Sequence, residues 1–465
     1  MEMGLSATLV QHLCATRHED LPREATLAAR RSIFDTLGVI LAGSGPDSAP
    51  ARMIPVLAAW GGKPEASVIG HDLRLSAPQA AFANGAMGHQ FDYDDTHDAA
   101  LVHPTACALP AALAVAESLA QGRGSELVRA VALANDLTCR LGLSLRGAYT
   151  DYTFLRGPVI GIWGATAAAC VLLGLDRVQT GWAFGHTLHQ TGVTLECLGS
   201  GSDMRGLRDG FGARAGVTAA WMAKVGIRGD ALAFEGRHGM LQAFFRGECD
   251  IPVITEGLGA RFEGAEVSIK PWPASREGHA TLRAALELRS RHGFAPQAVR
   301  SVHLQLSRTE LMYCEPPERR RRPASRNEAL QSLPFALAVA LQHGSVPLRA
   351  YTSAALADPK ILALVDRVTW TLDERRSGDW TREGVAVRIT LDDGRCFEHT
   401  AQPGLGTPSD PLTDAAMKLK FRECADMSSL RVADSAIDHL HRVVDTLEQR
   451  PVAELSAALA HLAAH

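Results

Sequence analysis

The most unusual stretch of the sequence runs from His89 to Asp98 and places four aspartates within seven positions. Carboxylates this close together raise the free energy unless cations, hydrogen bonds or protonation relieve them. Three structures fit such a stretch: a solvated loop with helix-capping aspartates, a site for a divalent metal, and an active-site loop. Its spacing matches no metal-binding motif, so we predict no metal and leave the other two alternatives open.

His103 follows this stretch and directly precedes Pro104, a residue type favoured at the first position of a helix. An imidazole at a helix N-terminus lies in a partly positive field, which disfavours the imidazolium and attracts anions. A neutral His103 could accept a proton from a substrate. A histidine that merely caps the helix would have the same sequence.

Two further clusters could bind an anion. Arg205 and Arg208 lie in a glycine-rich stretch, 199–210, ahead of a helix predicted from residue 211, and their guanidinium groups could hold carboxylates. An ordinary flexible loop between helices is the alternative. Lys270 opens a stiff, proline-rich segment that leads to His279, and its ammonium could bind a carboxylate or stabilise an enolate.

Composition and missing motifs exclude several classes of protein. The 465 residues carry a formal net charge of -4, which gives no reason to expect a nucleic-acid partner. The one dense basic run, Arg319–Arg322, is bounded by prolines and is predicted to be a solvated loop. The nine cysteines form no C-x-x-C pair, which favours a reducing, cytoplasmic location over a disulfide framework. Nucleotide-binding glycine loops, nucleophile elbows and zinc-protease motifs are not found.

Helical periodicity predicts a bundle of closely packed helices over the first half of the chain. One apolar segment, Gly157–Leu175, is long enough to span a bilayer. Its richness in Gly and Ala and its charged flanks predict a buried core helix rather than a membrane span.

The pattern changes near residue 263. Alternating apolar residues predict strands around 302–306, 368–372 and 385–391, and Asp393-Gly394 predicts a hairpin turn. Helical segments lie between these strands, and the helical pattern returns after several prolines.

We therefore predict a mainly α fold with two domains. A large, discontinuous, all-helical domain would comprise residues 1–262 and 405–465, and a smaller α+β lid domain would comprise residues 263–404. A ligand cleft is expected between the two domains.

Several motifs together resemble the MmgE/PrpD family, whose members are dehydratases, decarboxylases and epimerases of small polycarboxylates. The matching segments run in the family's order over nearly the whole chain: Asp35–Gly43, Ala83–Gly85, Phe91–Thr96, His103-Pro104, Gly161–Leu175, Glu235–Gly239, Lys270–Pro273 with His279, Ser332–Phe335 and Lys420–Arg422. The resemblance implies a helical domain with a smaller lid, a homodimer, and chemistry that uses neither metal nor organic cofactor.

Carried over position by position, the resemblance makes His103, Asp92 and Lys270 the candidate catalytic residues. Thr96 would form a hydrogen bond with the substrate. The other predicted substrate-binding residues are Arg156, Arg205, Arg208, Ser275 and His279.

The sequence departs from the family at positions that bear on the activity. Leu155 stands where many relatives have a histidine, and Ser275 stands where the decarboxylase-type members have one. Arg205 and Arg208 replace a lysine and a histidine, and an arginine binds a carboxylate but stays charged. An anion pocket built from arginines and a lysine is retained.

We expect a lyase or isomerase that removes a proton next to a carboxylate of a small di- or tricarboxylate. Dehydration is favoured, and decarboxylation and epimerisation share the same opening step. His103 would move the proton, while Asp92 would orient His103 or act as the partner acid. The alternative is a non-catalytic, carboxylate-binding relative that has lost part of the acid–base set.

Overall fold

The computed structural model describes residues 4–119, 121–147 and 151–462, and the chain forms two compact units. Unit 1 contains Met1–Gln90, Asp94–Ile269 and Leu412–His465. Unit 2 contains Lys270–Pro411 together with Phe91–Tyr93. The fold is mainly α, with a large helical part and a smaller α+β part, and this confirms the predicted fold class.

Unit 1 begins with a two-stranded antiparallel ribbon and twelve helices among the described residues. The strands are β1 (Ala66–Ser67) and β2 (Arg74–Leu75). The helices are α1 (Leu5–Ala15), α2 (Arg23–Gly43), α3 (Ala49–Trp60), α4 (Ala77–Gly88), α5 (Pro104–Ser118), α6 (Gly124–Ser144), α7 (Arg156–Leu173), α8 (Arg177–Leu188), α9 (Glu196–Ser200), α10 (Met204–Lys224), α11 (Met240–Ala243) and α12 (Ile251–Thr255).

The centre of unit 1 is formed by α4, α5, α7 and α10, which pack against one another because their facing residues are small. A Cβ on Gly85 would lie 2.9 Å from the Cα of Gly210, and one on Gly210 would lie 2.5 Å from the backbone oxygen of Phe82. Only glycine permits this approach of α10 to α4. These central helices position the ends from which the site residues described below project.

The helix α7 is long and apolar enough to cross a membrane by length and composition. Within the described residues, 94% of its apolar window is buried inside the protein. This burial is the environment of a core helix, as the sequence predicts.

Unit 2 contains seven helices and one sheet among the described residues. The helices are α13 (His279–His292), α14 (Arg308–Leu311), α15 (Pro317–Arg321), α16 (Arg326–Leu330), α17 (Leu333–His343), α18 (Ser353–Leu356) and α19 (Pro359–Val365). The strands are β3 (Val299–Leu306), β4 (Val368–Leu372), β5 (Ala386–Leu391) and β6 (Cys396–Thr400). The chain then returns to unit 1 with α20 (Asp414–Ala425), α21 (Asp434–Asp445) and α22 (Val452–His461).

The sheet has the strand order β4-β3-β5-β6, with β4 parallel to β3 and the other neighbours antiparallel. Val302 pairs with Val368 on one side and Ile389 on the other, and all three are buried. This alternation of buried side chains gives the sheet one apolar face, which packs with α13 and α17 in a single core. The predicted hairpin at Asp393-Gly394 is present between β5 and β6.

Two local predictions were wrong. The stretch 199–210 is not a loop, because α10 begins at Met204 rather than at residue 211. Arg319–Arg322 is not a solvated loop, because most of it belongs to α15 and its side chains form hydrogen bonds with other parts of the protein. Arg321, for example, donates to the backbone oxygen of Val368 and lies over the ring of Trp370.

Candidate active site

His103 stands at the N-terminal boundary of α5, whose first helical residue is Pro104. Its Nδ1 lies 2.8 Å from the backbone oxygen of Asp95. A carbonyl oxygen only accepts hydrogen bonds, so Nδ1 carries the hydrogen and Nε2 is the basic nitrogen of the neutral ring. The side chain is 17% exposed, which leaves part of the ring accessible to a small molecule.

A carboxylate and a second histidine lie next to His103. His89 Nδ1 donates to both oxygens of Asp94, at 2.9 and 3.0 Å. The Oδ2 atom of Asp94 lies 3.4 Å from His103 Nδ1, and the two imidazole rings meet edge to face with centroids 4.9 Å apart. Asp94 is therefore the shared anionic partner of two imidazoles.

Gly157, in the first turn of α7, leaves open a space that His103 and Arg208 border. A Cβ at this position would lie 3.6 Å from Arg208 Nη2 and 3.7 Å from His103 Cδ2. Cδ2 is the ring carbon bonded to Nε2, so the guanidinium of Arg208 and this side of the ring both lie beside Gly157. A carboxylate held by Arg208 here would bring its neighbouring C–H bond toward His103.

Asp209 connects Arg208 to the second histidine. Its Oδ2 accepts from Arg208 Nε at 3.3 Å and lies 4.0 Å from His89 Nδ1. Its Oδ1 accepts from the thiol of Cys107 at 3.4 Å. Burial and the neighbouring Asp209 raise the pKa of Cys107 well above its ordinary value, so this thiol is a hydrogen-bond donor rather than a nucleophile.

Protonation, rather than a nearby cation, reduces the negative charge at Asp95. Its side chain is fully buried, and its Oδ2 accepts from the Thr105 hydroxyl at 2.5 Å. Burial raises the pKa of Asp95 to about 7, although the hydrogen bonds from Thr105 and Ser32 oppose this rise. At neutral pH a large share of Asp95 is therefore uncharged.

His89, Asp94 and His103 are also close enough to hold a metal ion, since one ligand atom from each lies within 4.8 Å of the others. The same three side chains make the hydrogen bonds described above. These bonds account for the three side chains without an ion, and the exclusion of a metal from the chemistry stays a prediction.

In unit 2, Asp92 and Lys270 form a buried ion pair. Lys270 Nζ donates to Asp92 Oδ1 at 2.5 Å and to its backbone oxygen at 2.8 Å. Gln331 Nε2 donates to Asp92 Oδ2 and to Ser275 Oγ, each at 2.7 Å. Asp92 has a φ of 49°, an uncommon value for a residue other than glycine, and the cluster holds it there. An ammonium and an amide on the same carboxyl group favour its ionised form, which accepts but does not donate protons.

Two predicted substrate-binding residues have partners within unit 1. The hydroxyl of Thr96 donates to the backbone oxygen of Val102 at 3.2 Å, so its oxygen is left to accept a hydrogen bond. Arg156 donates to the backbone oxygen of Gly147 at 2.9 Å and lies over the ring of Tyr152. Arg205 is buried in the first turn of α10.

His279, in unit 2, accepts from Arg276 Nη1 at Nδ1 and donates from Nε2 to the backbone oxygen of Ala274, each at 3.2 Å. Burial, with the charge of Arg276 as the next cause, holds the pKa of His279 well below its ordinary value. The ring is therefore neutral, and both of its nitrogens have protein partners.

Of the predicted residues, the structure brings His103 and Arg208 to one space in unit 1. It brings Asp92, Lys270 and Ser275 to one cluster in unit 2. The sequence did not single out four of their partners: His89, Asp94, Asp209 and Gln331. The first two lie in the acidic stretch that attracted notice, but no local signal marks Gln331.

Two family models match the chain: the MmgE/PrpD N-terminal domain over residues 7–251 and the MmgE/PrpD C-terminal domain over residues 272–446. The chain belongs to the MmgE/PrpD family. It is 26% identical to cis-aconitate decarboxylase of Mus musculus over 432 residues, which cover 90% of this chain and 86% of that protein. It is 26% identical to cis-aconitate decarboxylase of Aspergillus terreus over 407 residues, 81% of each chain. It is 24% identical to 2-methylcitrate dehydratase of Cupriavidus necator over 406 residues, 82% of each chain.

Proposed function

We propose that this protein is a lyase or isomerase that removes a proton next to a carboxylate of a small di- or tricarboxylate. The observation that carries the proposal is the position of Gly157, beside which Arg208 Nη2 and His103 Cδ2, the ring carbon bonded to Nε2, both lie. The named activities of the relatives, cis-aconitate decarboxylase and 2-methylcitrate dehydratase, support a lyase that acts on carboxylates.

In the favoured reaction, dehydration, Arg208 holds a substrate carboxylate and Nε2 of His103 takes the proton from the adjacent carbon. The electron pair of that C–H bond forms the C=C bond as the neighbouring C–O bond breaks. The departing hydroxide takes a proton and leaves as water. Asp92 is ionised by its pair with Lys270, so we assign the return of this proton to the His103 imidazolium.

Decarboxylation and epimerisation begin with the same group. In decarboxylation a C–C bond breaks, carbon dioxide leaves, and the electron pair of that bond stays on the remaining carbon, which takes a proton that His103 has received from water. In epimerisation the proton returns to the opposite face of the same carbon. The products therefore distinguish the three reactions, whereas the loss of His103 would stop all of them.

The test is incubation with citrate, 2-methylcitrate, cis-aconitate and iminodisuccinate in deuterated water, followed by proton NMR. We expect a product or incorporated deuterium with at least one of these acids. His103→Gln should lower that rate by about 100- to 10,000-fold, the usual contribution of general acid–base catalysis. Arg208→Gln should raise KM by about 10- to 100-fold, because it removes a charge-assisted contact.

His189→Gln is the matched control, since His189 is an exposed histidine of the same unit that pairs with Asp230 at 2.7 Å. It should keep the wild-type rate. Turnover that survives in His103→Gln at the control's level would remove His103 from the mechanism and end the proposal.

One observation favours a second candidate, a carboxylate-binding protein without turnover. Leu155, which replaces a histidine of many relatives, is fully buried and cannot transfer a proton. Such a protein would gain thermal stability from one of the four acids without any deuterium exchange.

A further inference from the structure

The carboxylate of Asp94 lies between the two imidazoles of His89 and His103 in the interior of unit 1. Both Asp94 oxygens accept from His89 Nδ1, and Oδ2 also approaches His103 Nδ1. The side chains of His89 and Asp94 are fully buried, so water does not compete for these bonds. Of the three side chains, His103 is the one with an exposed edge.

We propose that Asp94 and His89 are positioning residues, which place a negative charge beside the Nδ1–H of His103 and so set the pH below which Nε2 no longer accepts a proton. The inference rests on the proposed function, in which Nε2 is the base. Asp94 favours the imidazolium that forms when Nε2 takes a proton, because its negative charge lies 3.4 Å from Nδ1. His89 fixes the direction of the carboxylate by occupying both of its oxygens.

The Asp95 backbone oxygen and the Asp94 carboxylate divide this task. The carbonyl oxygen, at 2.8 Å, is the closer acceptor and selects the tautomer. The carboxylate supplies the charge that a carbonyl lacks. Removal of that charge should therefore leave the ring in place and change its basicity.

The same chain of contacts continues to the arginine that binds the carboxylate in the proposed reaction. Asp209 accepts from Arg208 and lies 4.0 Å from His89 Nδ1, so His89 stands between two carboxylates. The residue that would bind the substrate anion, Arg208, and the residue that would take the proton, His103, therefore contact the same buried network of side chains. His89 is its central member.

Several charged or titratable groups face this network from neighbouring elements, and each acts on Asp94 or Asp209. They are Asp95 in the same segment, Cys107 on α5, Arg208 on α10, and Asp35 on α2 with its partner Lys420 on α20. Burial raises the pKa of Asp35, the ion pair with Lys420 at 2.6 Å opposes this rise, and Cys107 stays protonated. Asp94 is consequently the group whose charge acts on His103 most directly.

The first measurement uses the wild-type protein and needs no substrate. Protein labelled with ¹⁵N-histidine reports the tautomer of each ring and the pH at which it titrates, and His103→Gln identifies the His103 signals. We expect the Nδ1–H tautomer. An Nε2–H tautomer at His103 would overturn the inference whether or not the protein turns over a carboxylate.

The second measurement compares Asp94→Asn with Asp98→Asn, the same change at a carboxylate that accepts from the Ser268 hydroxyl in the same stretch. In Asp94→Asn the titration midpoint of His103 should fall by about one to two pH units, since an opposite charge has been lost nearby. The acidic limb of kcat/KM against pH should move by the same amount for whichever of the four acids is turned over. Asp98→Asn should move neither, and a merely structural role for Asp94 would lower kcat without moving the limb.

His89→Gln is the conservative variant, because its amide can still donate to Asp94, whereas His89→Leu cannot. We expect His89→Gln to keep the acidic limb of the wild-type kcat/KM profile. We expect His89→Leu to have a changed acidic limb and a lower kcat. Equal profiles for the two would remove His89 from the network.

If no acid is turned over but the midpoint of His103 moves in Asp94→Asn, the proposed function fails and the network stands. If an acid is turned over but the midpoint does not move, the network fails and the proposed function stands.

Discussion

The buried carboxyl of Asp95 makes the stability of unit 1 depend on pH in a direction opposite to that of an ion-paired aspartate. Its pKa is raised from 3.8 to about 7, and burial is the first cause. Between these two values the folded protein holds a proton that the unfolded chain has released. Stability from this group is therefore greatest below about pH 4, falls as the pH rises to about 7, and stays level above that.

The magnitude follows from the two pKa values. The interval from 3.8 to about 7, at about 1.4 kcal/mol for each pH unit, corresponds to about 4 kcal/mol. About 3 kcal/mol of it falls between pH 5 and pH 8. Asp95→Asn replaces the carboxyl by an uncharged group of the same shape and removes this dependence. We expect the variant to gain about 3 kcal/mol relative to the wild type as the pH is raised from 5 to 8.

The assay measures the free energy of unfolding in urea at pH 5 and at pH 8. Hydrogen exchange of peptides from α5 monitors the unfolding, because α5 belongs to the same unit as Asp95. Asp373→Asn is the control, because the bonds from Arg375 lower the pKa of Asp373 to about 2. Its contribution is present above pH 3.8 and is lost only as the pH falls through about 2, so it should not change between pH 5 and 8. A constant difference between Asp95→Asn and the wild type over this range would mean that Asp95 is ionised in the fold.

Two substitutions test the open space and the buried ion pair. Gly157→Ala should fold at least as well as the wild type, since its Cβ meets only ordinary contacts at 3.6 and 3.7 Å and alanine favours a helix by about 1 kcal/mol. The methyl group enters the space shared by Arg208 and His103, so kcat/KM should fall by about 10- to 100-fold, and unchanged kinetics would place the substrate elsewhere. Lys270→Met should destabilise unit 2 by about 3–5 kcal/mol in urea unfolding, because Asp92 is left charged and buried. The double variant with Asp92→Asn should recover most of this loss, and no recovery would show that the ammonium does not act through Asp92.

Much of the fold can be predicted from the sequence because its signals are local. Pro104 marks the first residue of α5, and Thr413 caps α20 by accepting from the backbone N–H of Ala416. The alternation through Val387 and Ile389 fixes the buried face of β5. Each signal depends on residues within one or two turns of the element that it predicts.

The start of α10 could not be predicted in this way, because its glycines serve a distant helix. Gly206 and Gly210 suggest a loop when only their helix propensity is considered. In the fold a side chain on Gly206 would collide with Gln90, and one on Gly210 would meet the backbone of Phe82. The gain from close packing outweighs the low propensity, and a single sequence does not reveal which residues will be neighbours.

The same limit applies to the candidate site. The sequence indicates that crowded aspartates need relief, and it suggests His103 as a base. It does not indicate that Gln331, which lies 239 positions after Asp92, donates a hydrogen bond to the carboxyl group of Asp92. Nor does it distinguish Asp94 from Asp95, since the two are adjacent and identical in type.

The fold gives three aspartates of one short stretch three different means of relief, and the differences matter to the proposed chemistry. Asp92 pairs with an ammonium, Asp94 accepts from an imidazole, and Asp95 holds a proton. A second negative charge beside Asp94 would favour the imidazolium of His103 and prevent Nε2 from accepting a proton at neutral pH. The raised pKa of Asp95, about 7, reduces this charge, while the backbone oxygen of Asp95 still selects the tautomer. The burial of Asp95, which costs stability above about pH 4, thus leaves more of His103 neutral and able to accept a proton below about pH 7.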